Sequence, residues 1–308
     1  MGFKTQKGFL FTGSGDGLKY VSGKRQSWYI SEQGNPGEAV AAVVTLTAAE
    51  HYYQAGEADV GADVTINVSD NNSADETWSD IAIATTSGKR LFVIIATYRA
   101  TNGNATNWAS AFANSASNLT LNLIASGTTT ALTYRGAYAA SQYQSTSIWT
   151  ATVDGATTST DDYQVQLDDD TTNAANGNFA YSGIVLDQVN TVEYLNIESL
   201  GFSGQANQTV TSALSLAPNN TTSATKVLRI AVANGSNISA NDLDYNKGGS
   251  EPNYTQIGEG DNGTNERHYH AYHFGDHGTQ VNMTGTFGNG STGASNGMSG
   301  IGCIIGLS

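Results

Sequence analysis

KRLFVIIATY, residues 89–98, contains a nearly continuous apolar run whose length and composition are typical of a central β-strand. The run is apolar at consecutive positions and not at alternating ones, so both faces of the strand are expected to be covered by packed layers. A second stretch, KVLRIAVANGS from residue 226, repeats the pattern of a basic residue, an apolar strand and an Asn/Gly turn. The chain is therefore predicted to contain two buried central strands.

Four blocks of sequence recur in the same order in the two parts of the chain. Each part has an alternating strand before the apolar run, then a Leu-x-Tyr step, an aromatic strand and a closing strand with a Ser-Gly pair. This order predicts a tandem duplication, although two β-rich segments of one composition also look alike by chance. The proposed alignment pairs Leu132, Tyr134 and Trp149 with Leu243, Tyr245 and Tyr272.

Further strands are indicated by alternation of apolar and polar residues in DVTINVSD, DIAIA, LTLNLIAS and DYQVQLD. Residues 37–57 combine helix formers with a β-branched run, so this segment is expected to form either one short helix or a pair of strands. The predicted fold class is all-β, with two tandem antiparallel β-sandwich or jelly-roll-like domains preceded by an N-terminal arm. The predicted boundaries are 1–60 for the arm, a docking segment, and 61–190 and 191–308 for the two sandwiches.

Composition and charge exclude several classes of partner. Only 13% of the 308 residues are charged, and the formal net charge is −14. A field of this sign repels nucleic-acid phosphates and anionic lipid surfaces, so neither nucleic acid nor a membrane is expected as a partner. The single cysteine, Cys303, lies in an apolar run and is expected to be a small buried side chain.

Four of the five histidines lie in ERHYHAYHFGDHG, residues 266–278. Alternation along a strand places His268 and His270 on one face and His273 on the other, while His277 follows in the turn. His268 and His270 are therefore the candidate metal ligands, since zinc takes imidazole nitrogens from such pairs. The alternatives are a polar strand whose histidines lie at the surface or against another subunit, and a contact that responds to pH.

No motif for nucleophilic catalysis or for a bound cofactor occurs in the sequence, so no catalytic residue and no cofactor is predicted. KRLFVIIATY, followed by LTYRG or LDYNKGG, then SIWTATVDGAT and YSGIVLDQV, resembles β-sandwich modules of tailed-bacteriophage virion structural proteins. The resemblance departs from the family pattern at TYRGA, which lacks a second glycine. It implies a non-enzymatic role and transfers no catalytic residues.

The resemblance implies a protein located in the virion, as a capsid-decorating or head-fibre protein or a tail-attached component. Its expected partners are other virion proteins and copies of itself, for example in a trimer, and attachment to a host surface glycan is also implied. Three other functions are left open: a carbohydrate-binding adhesin module, a double jelly-roll major capsid protein, and a metal- or carboxylate-dependent polysaccharide hydrolase.

Overall fold

The computed structural model describes the chain in segments, all of them strands or the turns beside strands. The described residues are 20–21, 24–25, 43–54, 64–67, 89–100, 119–125, 128–141, 144–154, 163–169, 177–202, 212–217, 223–236, 244–261, 266–278, 282–287 and 298–308. Contacts divide the chain into two compact units, Met1–Ala42 and Val43–Ser308. In the first unit a short antiparallel hairpin joins β1 (Tyr20–Val21) to β2 (Lys24–Arg25).

The second unit contains two halves. The strands of the first half are β3 (Thr45–Gln54), β4 (Val64–Asn67), β5 (Lys89–Ala100), β6 (Leu119–Ala125), β7 (Thr128–Ala131), β8 (Thr133–Ser141), β9 (Gln144–Asp154), β10 (Tyr163–Asp169) and β11 (Gly177–Asp187). The strands of the second half are β12 (Val192–Phe202), β13 (Ser212–Leu216), β14 (Lys226–Ser236), β15 (Tyr245–Lys247), β16 (Thr255–Asp261), β17 (Glu266–Asp276), β18 (Met283–Phe287) and β19 (Met298–Leu307). Every strand pair is antiparallel. The prediction of an all-β chain is confirmed for the described residues, none of which is helical.

Each half forms one five-stranded sheet and one smaller sheet. The first half gives the orders β3-β11-β5-β9-β8 and β4-β10-β6-β7, and the second gives β12-β19-β14-β17-β16 and β13-β18-β15. When the strands of each half are numbered from its start, with β7 set aside, both halves read 1-8-3-6-5 and 2-7-4. The two halves therefore share one strand order.

The two five-stranded sheets pack face to face across an apolar interior. β5 contributes Leu91, Val93 and Ile95 to this core, and β14 contributes Leu228, Ile230 and Val232 at alternating positions. β5 contacts β14 in the middle, while β3 contacts β16 at one edge and β8 contacts β12 at the other. β3 and β12 are equivalent in the shared strand order, and so are β8 and β16. The β3–β16 contact is therefore equivalent to the β12–β8 contact, and the strand contacts follow an approximate two-fold relation.

The alternate residues of the second five-stranded sheet pack against the three-stranded sheet. Val227 and Ala231 of β14 share a buried cluster with Tyr245 of β15 and Met283 and Phe287 of β18. The odd and even positions of β14 thus serve two different cores, which explains why its sequence is apolar without a break. In β5, Leu91 to Ile95 are likewise all 2% exposed or less, so both faces of this strand are covered.

Residues 45–54 resolve the ambiguity between helix and strand in favour of a strand. β3 lies at the edge of the first five-stranded sheet and pairs with β11. The β-branched run VVTLT fits a pleated surface better than a helix, because these side chains lose rotamer freedom against a helical turn. The strand DIAIA lies outside the described residues, whereas DVTINVSD, LTLNLIAS and DYQVQLD correspond to β4, β6 and β10.

The predicted pairing of Trp149 with Tyr272 is wrong by one residue. Asp154 and Asp276 each lie opposite the lysine that opens the central strand, and this register aligns Trp149 with Ala271. A slip of one residue moves a side chain to the other face of a sheet. Accordingly, Tyr272 packs against the core between the five-stranded sheets, while Trp149 lies on the opposite face of its own sheet.

The pairing of the two Leu-x-Tyr steps is also wrong. Tyr134 belongs to β8 in the first five-stranded sheet, where its ring meets Trp149 edge-on at 5.3 Å. Tyr245 belongs to β15 in the three-stranded sheet. The strand that corresponds to β8 in the shared order is β16. The two Leu-x-Tyr steps are therefore similar in sequence but do not occupy equivalent strands.

Candidate functional site

β17 carries the histidine-rich stretch and presents its histidines to two different cores. The predicted alternation is confirmed: His270 lies opposite Val232 of β14, on the face toward the first five-stranded sheet, and His273 lies opposite Arg229 on the other face. The expectation that these histidines lie at the surface or against another subunit is wrong for His268 and His270, which are 6% and 0% exposed. The face-to-face packing of the two halves buries them, and the sequence alone held no sign of that packing.

His270 joins the second half to two strands of the first half. Its Nδ1 is hydrogen-bonded to Ser182 Oγ of β11 at 2.8 Å, and its Nε2 to Thr97 Oγ1 of β5 at 3.2 Å. Both hydroxyl-bearing residues are buried, so each contact supplies a partner that a desolvated imidazole nitrogen requires. Ser182 and His270 are at the distance of a serine nucleophile and its base, but both are wholly buried and an acyl donor has no access to the hydroxyl in this conformation.

The end of the inter-sheet space around His270 is polar, in contrast to its apolar middle. The His268 ring lies 5.3 Å from the His270 ring, between centroids. Asn234, opposite His268 on β14, donates from Nδ2 to the Ser145 carbonyl of β9 at 3.4 Å. Thr146, which lies opposite Thr97, is wholly buried, and its Oγ1 has no hydrogen-bond partner in the part of the chain that the structure describes.

A second polar group lies on the other face of β17. Arg229 Nη1 is 3.1 Å from His273 Nδ1, and the ring of Tyr254 lies 6.4 Å from the His273 ring. Burial lowers the pKa of His273 below its usual value of 6.5, and the positive charge of Arg229 lowers it further. The neutral imidazole therefore accepts a hydrogen bond from the guanidinium.

Glu251 is the centre of this second group, although it lies in the turn before β16. The Glu251 carboxylate accepts from Tyr254 Oη at 3.0 Å, from Tyr245 Oη at 3.2 Å and from the Thr284 backbone N–H. Burial raises the pKa of both tyrosines, and the negative charge of Glu251 raises it further. Glu251 is 4% exposed, so these donors hold a carboxylate that is almost removed from water.

His277 serves a third contact, at the opposite end of β17 from His268. Its Nε2 is 2.9 Å from Tyr194 Oη of β12, and its backbone N–H donates to the Thr225 carbonyl. The two rings meet edge-on at 5.9 Å. The four histidines of the stretch are thus divided among three environments, and only His268 and His270 lie together.

Sequence reasoning missed the partners that define these contacts. Thr97, Ser182 and Glu251 lie in segments that are ordinary for this composition, which is rich in Ser and Thr, and no local pattern distinguishes them. Only strand register brings them to the histidines and tyrosines of the second half. The described residues hold no group of three or more His, Cys, Asp or Glu side chains arranged for a metal ion, and the metal role of His268 and His270 stays a prediction.

Among the described residues there is no helix with the length and apolarity needed to cross a membrane. No protein-family model, no curated protein and no solved structure matches the chain.

Proposed function

We propose that this chain is a non-enzymatic structural protein of a bacteriophage particle. In this proposal it is a capsid-decorating, head-fibre or tail-attached component that mediates assembly or host attachment, and it resides in the virion. Its body consists of two tandem jelly-roll-like sandwiches preceded by an N-terminal arm that docks on another virion protein. Its partners are other capsid or tail proteins and further copies of the chain, for example in a trimer.

The observation that carries the proposal is the strand order common to the two halves. An eight-stranded jelly roll places strands 1, 8, 3 and 6 in one sheet and strands 2, 7, 4 and 5 in the other. The order β3-β11-β5-β9 and the order β4-β10-β6-β7 fit that arrangement. β7 takes the place of jelly-roll strand 5 at the edge of the smaller sheet, and the chain continues through Leu132 into β8, which extends the larger sheet.

The jelly roll supports a virion role because capsid proteins use this sandwich repeatedly. The fold alone is an analogy, but the resemblance of KRLFVIIATY, SIWTATVDGAT and YSGIVLDQV to phage virion modules points to the same class. The interior is also suited to a structural component. The contacts of His270 with Thr97 and Ser182 join the two halves of one compact unit, and these hydroxyl groups are buried and not presented to a substrate.

The proposal is tested by quantitative mass spectrometry of purified particles of a phage whose genome encodes the chain. Peptides of this chain are expected in the particles at a fixed ratio to the capsid protein. Complete absence from washed particles, with the protein present in the infected cell, would contradict a virion role. A ratio equal to that of the shell protein itself would favour the double jelly-roll major capsid protein over a decoration or fibre protein.

Carbohydrate binding is the second candidate, because lectin domains also use the jelly roll. Glycan-array binding by the purified chain, saturable and competed by the free sugar, would support an adhesin module. An array without hits, together with trimer formation in sedimentation experiments, would favour the assembly role.

A further inference from the structure

We propose that two copies of this chain exchange halves, so that the first half of one copy packs against the second half of the other in a closed dimer. The surface that is exchanged is the inner face of each five-stranded sheet. The hinge is the connection from β11 to β12, residues 188–191. The inference does not depend on the proposed virion role.

The connection between the two halves is short and bends at a strained residue. It follows Asp187, the last residue of β11, and ends before Val192, the first residue of β12. Gln188 has a φ of 63°, and it is the one non-glycine residue with a positive φ in the described part of the chain. In this left-handed region a side chain crowds its own backbone, so glycine is the usual residue there. Short hinge loops under strain favour the exchange of domains between copies.

The Gln188 side chain adds to the cost of the closed hinge. Its Oε1 is buried and has no hydrogen-bond partner among the residues that the structure describes. A buried acceptor without a partner is unfavourable, because it has lost its hydrogen bonds to water. An extended conformation at Gln188 removes the backbone strain and allows the amide to turn toward water. Both features therefore favour an opened hinge at this residue.

The hydrogen bonds that follow Gln188 show which contacts change when the hinge opens. The Val189 N–H donates to the Lys89 carbonyl of the first half at 2.8 Å, and the Asn190 N–H donates to the Ser308 carbonyl of the second half at 2.8 Å. Rotation at Gln188 breaks the first of these bonds and leaves the second intact. Val189 is also buried, so these contacts hold the hinge closed in the folded monomer, and the exchange is expected to take place during folding.

The surface between the halves is suited to a second copy, because exchange re-forms its contacts. The apolar core contains residues from both halves, for example Val93 of β5 and Ile230 of β14. The contact of His270 with Ser182 also joins the two halves. In a closed dimer the same contacts are made between copies. The exchange therefore alters the hinge and not the interface, so strain at Gln188 shifts the balance toward the dimer.

Sedimentation velocity tests the exchange, after the full-length protein has been equilibrated at several concentrations in urea near its unfolding midpoint and then refolded. The unaltered protein is expected to form a dimer whose fraction rises with protein concentration. Gln188→Gly adopts the left-handed conformation without strain. It should lower the association constant of the dimer by roughly 100-fold, since strain at each of the two hinges contributes roughly tenfold.

Two valine variants separate strain at the hinge from a general effect of the side chain. Gln188→Val places a β-branched residue in the left-handed region, where such residues are rare, and should raise the dimer fraction. Asn190→Val is the matched control, because Asn190 is exposed, lies in the same connection and does not have a positive φ. It should leave the dimer fraction unchanged.

Cross-linking of isotope-labelled chains distinguishes an exchange of halves from an ordinary dimer. Lys89 bonds to Val189 and Lys226 pairs with Leu307, so both lysines lie at the hinge end of their strands. Heavy and light chains are refolded together, and the dimer is isolated and treated with an amine-reactive cross-linker. In an exchanged dimer the Lys89–Lys226 link joins two copies, so heavy–light links are expected. In an ordinary dimer this link stays within one chain.

Three results would overturn the proposal. They are the absence of a dimer at every concentration, a dimer fraction that is the same for Gln188→Gly, Gln188→Val and the unaltered protein, and a dimer whose Lys89–Lys226 links never pair heavy with light chains. If Gln188→Val does not fold by far-ultraviolet circular dichroism, the comparison of Gln188→Gly with the unaltered protein decides the outcome.

Discussion

The two halves of the second unit share one strand order but place different kinds of side chain at equivalent buried positions. In the first half Arg90 donates from Nε to Asp187 at 2.6 Å, and both side chains are buried. The strand register places Val227 and Gly306 at the corresponding positions of the second half, where the ring of Tyr194 covers the glycine. An ion pair and an apolar contact thus occupy equivalent positions, so the shared strand order does not require the charged residues.

Strand register and apolar inner faces are common to the two halves, whereas the buried polar groups differ from one half to the other. Among the described residues, the first half has the buried Arg90–Asp187 ion pair, while the second has the Glu251 carboxylate with its tyrosine donors and the Arg229–His273 contact. A buried charge without a partner is costly, and a well-packed apolar replacement of the whole pair is often neutral. Removing single members of these groups should therefore reveal the difference between the halves.

The largest effect is expected at Arg90. Arg90→Met leaves Asp187 buried without its partner, and breaking such a pair costs about 3–5 kcal/mol of unfolding free energy. The double variant Arg90→Met/Asp187→Ala should recover part of this loss, since the second half folds without the pair. Urea unfolding measures both. Lys226→Met, at the exposed pair with Asp276, is the control and should cost much less, because exposed ion pairs contribute little to stability. Equal losses at Arg90 and Lys226 would contradict the buried role.

The second-largest effect is expected at Glu251. Glu251→Gln puts an amide N–H₂ among the donors from Tyr245, Tyr254 and Thr284, and a hydrogen bond to a charged group is worth about 1.5–3 kcal/mol. We expect a loss of about 2 kcal/mol in the same urea assay. Glu198→Gln is the control, because its carboxylate accepts the Ser215 N–H at an exposed position. A loss at Glu251 no larger than that at Glu198 would show that the network does not stabilise the second half.

A smaller effect is expected where Tyr194 covers Gly306. A Cβ at position 306 would lie 2.1 Å from Tyr194 Cε1, so Gly306→Ala forces the ring to move and should cost about 1–3 kcal/mol. Gly278→Ala has nothing within 4 Å of its new methyl group and should change stability by about 0.5 kcal/mol or less. Thermal unfolding of the two variants separates the cases. If both behave alike, the ring does not pack on position 306.

The smallest effect is a pH dependence at His273. Its folded-state pKa is below the 6.5 of the unfolded chain, because burial and Arg229 oppose its protonation. The unfolded chain therefore binds more protons as the pH falls through this window, and the stability that the neutral ring contributes is present above about pH 6.5 and lost below it. Between pH 7.5 and pH 5, the free energy of unfolding should decrease more for the unaltered protein than for His273→Gln. Parallel profiles would contradict this assignment.

Much of the fold could be predicted from local pattern, because apolar runs and alternation depend on residues that are neighbours in sequence. β5 and β14 are examples, and the faces of His270 and His273 followed from alternation alone. The pairing of Trp149 with Tyr272 failed because similar aromatic residues differ by one position, and register is set by long-range pairing. The burial of His270 could not be predicted, since Thr97 and Ser182 reach it only through the packing of one half on the other.

Hydrogen exchange followed by mass spectrometry in increasing urea tests the central claim most directly, namely that the two halves form one body through the faces of their five-stranded sheets. Peptides covering residues 91–96 of β5 and residues 227–233 of β14 should show the same opening free energy, equal to that of global unfolding, because the two segments share one buried core. Exchange of one segment at a much lower opening free energy than the other would mean that the halves unfold separately, and it would contradict the account.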